Sequence, residues 1–234
     1  MFERIKKAFS RPPDDDKETV GPASHQAGGA ISEWAATRGF GFSTDGAGGV
    51  LMLEGRTGGK RWRMELGRPS RTFIRDHELR GRAELGIDED AAVLVMSRPL
   101  KEALEKKAYS MITDPLQTMA DASLPEEMRW LSMYGEVGWD SLPPAFWKRY
   151  SVLADRRENA LAWLDSRLGA MMLDWPEPAP ANEAAFMMML LRGKAYLRME
   201  CQPSDMPTLQ HATYIFTSAC ESALGGLSTP VKRA

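Results

Sequence analysis

Apolar residues recur along this chain with two different periods, and the switches between them mark out its elements. Ile31, Trp34 and Ala35 stand at i, i+3 and i+4, one face of a helix, and Gly39 sits where a helix stops. Residues 40–44 then alternate, with Phe40, Phe42 and Thr44 on one side. A second strand is predicted over 50–54, after the glycine-rich turn 45–49, and a third over 60–66, after the turn 55–59. The third sets Trp62, Met64 and Leu66 against Arg61, Arg63 and Glu65, the pattern of a sheet with one wet face. Connections this short cannot hold a parallel crossover, so the three strands read as an antiparallel meander.

Asp76 is predicted to cap a short helix through Leu85, ended by Gly86, and 91–96 reads as a fourth strand. Pro99 opens a predicted helix to Tyr109, with Leu100, Leu104 and Ala108 aligned. Ser123 and Glu126 have the spacing of a capping box before a helix bearing Glu127, Trp130, Leu131 and Tyr134. Leu153, Ala160, Leu161, Leu164, Leu168, Met171 and Met172 form the strongest helical stripe, which stops before Trp175. Residues 191–201 alternate again, placing Ala195, Leu197, Met199 and Cys201 opposite Lys194, Tyr196, Arg198 and Glu200. Pro207 opens a last helix along Leu209, Ala212, Phe216, Ala219, Cys220 and Ala223.

The fold class that follows is α+β: an antiparallel sheet, built from the N-terminal meander plus the late strand, packed with helices, and a helical C-terminal half. The expected organisation is a disordered tail over 1–28, an α+β meander region over 29–112, a mainly helical region over 113–226 sharing its core, and a loose tail over 227–234.

Composition adds exclusions. A 234-residue chain that is 43% hydrophobic and 26% charged can bury a core without a disulfide or metal. A net charge of −2 gives no global attraction to nucleic acid, which is not an expected partner. Cys201 and Cys220 are too few for a disulfide framework and are expected to be buried and inert. The longest apolar run, 184–191, is far short of the ~20 residues of a spanning helix, and 1–13 lacks the apolar core of a secretory signal. A cytoplasmic location is the expectation. Phe2, Ile5 and Phe9 among Arg4, Lys6 and Lys7 suggest membrane-surface contact through residues 1–9 as a weaker reading beside a frayed terminus.

Motifs for chemistry are sparse. His25, His77 and His211 belong to no metal-ligand spacing, so no metal and no cofactor is expected. The glycine-rich turns join strands, whereas phosphate cradles lead into a helix N-terminus. His77 lies between Asp76 and Glu78, a trio able to move a proton, although a solvated helix N-terminus accounts for the same residues. No catalytic residue is assigned.

Charge patterning is informative. Between Arg56 and Arg82 nine basic residues meet three acids, giving +6 in a chain of −2. Eight of the nine are arginine, which grips phosphate or carboxylate in a planar, bidentate way. Arg61 and Arg63 project from the wet face, and Arg68, Arg71 and Arg75 follow around Pro69; these five are the candidate ligand-binding residues. The competing account is ion pairing with the acidic remainder. The spacing Arg71-x-x-x-Arg75 resembles PilZ domains, which bind a cyclic dinucleotide on a β-barrel; the resemblance covers these two residues, and the family's Asp-x-Ser-x-x-Gly run is absent.

Aromatics cluster over 130–150, and Trp139 and Trp147 are candidate partner-binding residues if the loop 138–144 exposes them. The function expected is a non-enzymatic protein-interaction or adaptor protein with a protein partner. The alternative is a binding module for an anionic small molecule, phosphate-bearing or nucleotide. Less favoured is an enzyme acting on a phosphate ester.

Overall fold

The computed structural model describes residues 22–45, 49–112 and 126–227. Helix α1 (Pro22–Thr37) leads into β1 (Gly41–Asp45), β2 (Val50–Thr57), β3 (Lys60–Gly67), β4 (Glu78–Glu84) and β5 (Val93–Ser97). Then come α2 (Arg98–Ile112), α3 (Glu126–Met133), β6 (Gly135–Val137), α4 (Pro144–Arg149) and β7 (Tyr150–Ala154). Helices α5 (Arg157–Trp163) and α6 (Ser166–Leu173), the hairpin β8 (Phe186–Leu191) and β9 (Lys194–Glu200), and α7 (Met206–Gly226) complete the order. The nine strands form one antiparallel sheet in the order β1-β2-β3-β4-β9-β8-β5-β7-β6. The class is α+β, as the alternation predicts.

One face of the sheet carries the main core. Trp62, Met64, Leu66, Leu79, Leu197 and Met199 point there and are met by α1 and α4 to α7. Ile31, Trp34 and Ala35 pack as the i, i+3, i+4 stripe requires, and Gly39 ends the turn at φ 69. The opposite face is divided. Over β5, β7 and β8, helices α2 and α3 bury Leu94, Met96, Leu100, Leu104, Trp130, Leu153, Met187 and Met189 in a second core. Over β2, β3, β4 and β9 the face is open and charged.

Several expected elements differ. The predicted helix from Asp76 to Leu85 is strand β4, with Leu79, Gly81, Ala83 and Leu85 buried against alternating Arg80, Arg82 and Glu84. Gly81 and Ala83 are too small to show as an apolar stripe, yet the size of Gly81 is required. A Cβ on Gly81 would lie 3.2 Å from the Phe216 ring. The long stripe from Leu153 to Met172 divides into β7, α5 and α6, because Asp165 caps α6 by accepting the Leu168 amide at 2.7 Å. Strand β8 has no period because it is covered on both faces. Helix α1 starts at Pro22, inside the stretch read as tail. Residues 1–9, Ser123 of the expected capping box and 228–234 lie outside the described residues.

Candidate functional site: an arginine-lined sheet face

The open half of the sheet forms a concavity of about 1070 Å³. Its floor is set by register. Directly opposed residues of an antiparallel pair share a face, with Cβ atoms ~4.5–5.5 Å apart. Here Arg56 on β2 opposes Arg61 on β3, Arg63 on β3 opposes Arg82 on β4, and Arg80 on β4 opposes Arg198 on β9. Three arginine–arginine pairs therefore step diagonally across four strands. Arg38, from the end of α1, reaches the same rim and lies 5.2 Å over the Tyr214 ring.

Carboxylates offset part of this charge. Glu65 takes Arg63 at 2.7 Å and Arg80 at 2.8 Å. Glu84 takes Arg82 at 2.5 Å and Lys194 at 3.1 Å. Partial burial would raise the Glu84 carboxyl, but the bonds from Arg82 and Lys194 outweigh it and hold its pKa below the usual value. The bond to Glu84 in turn pushes the Arg82 guanidinium up. Glu78, wholly buried, accepts from Arg198 at 2.5 Å and from the Ser70 amide at 2.6 Å. Arg61 has no ion pair or hydrogen bond among the described residues, and Arg56 reaches only the Gly59 carbonyl, at 3.3 Å. Seven arginines and three carboxylates line the concavity, so it stays cationic.

Of the five expected ligand-binding arginines, two are in this concavity: Arg61 and Arg63. Arg71 is on the far side of β9 from them, tied to the buried Glu127 of α3. Arg75 is exposed and contributes its backbone N–H to Glu200 at 3.0 Å, while Arg68 is exposed beyond the end of β3. Arg198 joins from distant sequence through the β4–β9 register, and Arg38 joins from the turn that ends α1. Among the described residues no closed barrel, as the Arg71–Arg75 spacing implies, is formed; β1 and β6 are the edges of an open sheet.

The aromatic segment is corrected outright. Trp139 is 7% exposed and stacks edge-to-face on the half-buried Trp147 at 5.1 Å, beside the fully buried Phe146. Trp139 is held inward by the loop, and Trp147, on α4, is partly buried against the main core. Glu78 is not at a helix N-terminus but at the start of β4, and the His77 carbonyl accepts the Cys201 amide at 3.3 Å. Burial pushes the Cys201 and Cys220 thiols up to about 12, which keeps them protonated. Among the described residues no group of His, Cys, Asp or Glu could hold a metal, and no helix is long and apolar enough to cross a membrane.

No family model matches the chain, and no curated protein matches it. Among solved structures, it is similar to the crystal structure of the mycobacterial trehalose monomycolate transport factor A, TtfA, with a TM-score of 0.46 and 12% identity over 87% of this chain and 98% of that one.

Proposed function

We propose that this chain is a non-enzymatic interaction protein that docks an acidic protein segment on the arginine-lined half of its sheet. The observation that carries the reading is the three opposed arginine pairs. Each like-charge pair costs on the order of 0.2–1 kcal/mol in an isolated sheet. Partner carboxylates laid between the paired guanidinium groups would remove that cost and add bidentate bonds. The breadth of the face suits a polypeptide: four strands span ~14 Å. The concavity, about 1070 Å³ and open, is at the upper end of small-ligand sites, ~300–1,000 Å³.

The test uses a fluorescein-labelled polyglutamate peptide, read by anisotropy at low and high salt, on the full chain and on Arg61→Glu with Arg82→Glu. Binding should fall steeply with salt and weaken roughly tenfold or more in the variant, about 1.4 kcal/mol. The melting temperature of Arg61→Glu alone should not move, since Arg61 has no internal partner among the described residues. Polyglutamate binding that is absent, or indifferent to the variant, would end the proposal.

A further inference from the structure

A second cavity, of about 400 Å³, opens where α3 meets β8 and β9, and its volume falls in the ~300–1,000 Å³ range of small-ligand sites. Trp130, Tyr134 and Tyr196 line it, with Met189 and Leu191 beside them. Burial raises the Tyr134 hydroxyl pKa, with the Asp155 charge adding to the effect, so that ring stays neutral. Four guanidinium groups also line the cavity: Arg71, Arg129, Arg192 and Arg198.

Two of these are held from behind. Arg71 donates Nε to Glu127, and Arg198 donates Nη1 to Glu78 at 2.5 Å; the two carboxylates are 3% and 0% exposed. Ser70 links the pair, its carbonyl accepting from Arg71 at 3.3 Å and its hydroxyl from Arg198 at 2.8 Å. A guanidinium has five donors, so these bonds fix both groups and leave donors over. The other two, Arg129 and Arg192, have no ion pair among the described residues. Arg192 also has a left-handed backbone, φ 52, at the β8–β9 turn. That conformation belongs to the two-residue turn Arg192–Gly193, because a type I′ hairpin needs φ > 0 at both central positions and Gly193 lies at φ 71.

Glu89, Asp90 and Glu126 share the wall, so the cavity is mixed in charge and not simply cationic. A ligand that fits must combine an anionic end, a flat ring and hydrogen-bond donors. We propose that the cavity binds a nucleoside monophosphate. Arg71 and Arg198 take the phosphoryl oxygens with Arg192 beside them, Tyr134 and Tyr196 flank the base, and Glu89 and Asp90 accept from the sugar hydroxyls. Two anchored guanidinium groups can each engage their own oxygens on a phosphoryl group, which has three, whereas a carboxylate has two. Bases stack on aromatic side chains at ~1–3 kcal/mol each.

Calorimetric titration of the full chain with AMP, GMP, CMP and UMP tests this, with adenosine, inorganic phosphate and adenosine 5′-carboxylate as controls. At least one monophosphate should bind saturably, and its free nucleoside and inorganic phosphate should each bind at least tenfold more weakly. Arg192→Gly should weaken that binding several-fold while leaving the melting temperature unchanged or slightly higher, because glycine relieves the left-handed backbone. Arg61→Glu with Arg82→Glu should leave it intact, which separates failure here from failure of the acidic-partner reading. The inference is overturned if no monophosphate saturates, if the carboxylate analogue binds as tightly as AMP, or if Arg192→Gly binds like the parent chain.

Discussion

Replacing Arg198 by methionine isolates the one wholly buried charge of the open sheet face. The Glu78 carboxylate is 0% exposed at the start of β4 and faces Glu200 across the β4–β9 ladder. Its two oxygens are satisfied by the Ser70 amide at 2.6 Å and the Arg198 guanidinium at 2.5 Å. Arg198→Met retains most of the side-chain stem and removes the only cation bonded to that carboxylate among the described residues. A buried charge stripped of its partner costs about 3–5 kcal/mol. Against a total stability of ~5–15 kcal/mol the variant folds wherever the parent's stability exceeds that loss. In a domain of this size each kcal/mol moves the melting temperature ~2–4 °C, so a fall of roughly 6–20 °C is expected.

Adding Glu78→Gln to Arg198→Met supplies the control. The amide can still accept the Ser70 N–H but carries no charge, so the double variant should recover stability, although Glu78→Gln alone lowers it. That reversal of sign is a coupling only a direct charge pair produces. Urea unfolding followed by tryptophan fluorescence reads all four chains, with an unchanged denaturant slope confirming that stability alone has moved. A loss below ~1 kcal/mol for Arg198→Met, or a double variant weaker than that single one, would refute the buried-pair reasoning.

Two further outcomes follow from local geometry. Gly55→Ala would place a Cβ 2.3 Å from Cζ2 of Trp62, which is 2% exposed and pinned edge-to-face by Phe40 at 4.9 Å. Urea unfolding should show a loss of about 1–3 kcal/mol, whereas Gly41→Ala, whose nearest neighbour lies at 3.8 Å, should stay within ~0.5 kcal/mol. Burial would raise the Asp155 carboxyl, but bonds from the Asn159 side chain, the Ala92 amide and the Arg156 amide overcome it and depress its pKa. Its contribution is therefore full above the unfolded carboxylate value, ~3.9, and is lost as pH falls through the lower folded value. Asp155→Asn should accordingly be less stable than the parent at pH ~7, with urea midpoints converging in acid.

The sequence made some of this legible and hid the rest for identifiable reasons. Strands β2, β3 and β9 were readable because each has one wet and one dry face, so Trp62, Met64, Leu197 and Met199 alternate with charge. Strand β8 was not, since Phe186–Leu191 is apolar on both sides and a buried helix would look the same. Strand β4 hid behind Gly81 and Ala83; the smallness of Gly81 answers to Phe216, 135 positions further on. The arginine surplus was visible as a count, but its geometry was not. Arg80 meets Arg198 only through the β4–β9 register, and Arg71, close to Arg63 in sequence, turns away to Glu127. The aromatic run misled because tryptophan suits interfaces and cores equally, and only burial separates the two.

The divided sheet face carries the strongest reason to regard the arginine surface as one of recognition. At the β8–β9 boundary, Met187 opposes Arg198 and Met189 opposes Tyr196 on the same face. On the β8 side α2 and α3 seal an apolar layer; on the β9 side the outward positions of β3, β4 and β9 include Arg61, Arg63, Arg80, Arg82, Lys194 and Arg198, interleaved with Glu65, Glu78, Glu84, Tyr196 and Glu200. A helix of this chain laid over them would have to bury cations that Glu65 and Glu84 already share, at several kcal/mol for each left unpaired. An apolar surface among the described residues is therefore a poor cover for this half. On the acidic-partner reading proposed above, a surface bringing its own carboxylates would close it, at a spacing set by the opposed arginines.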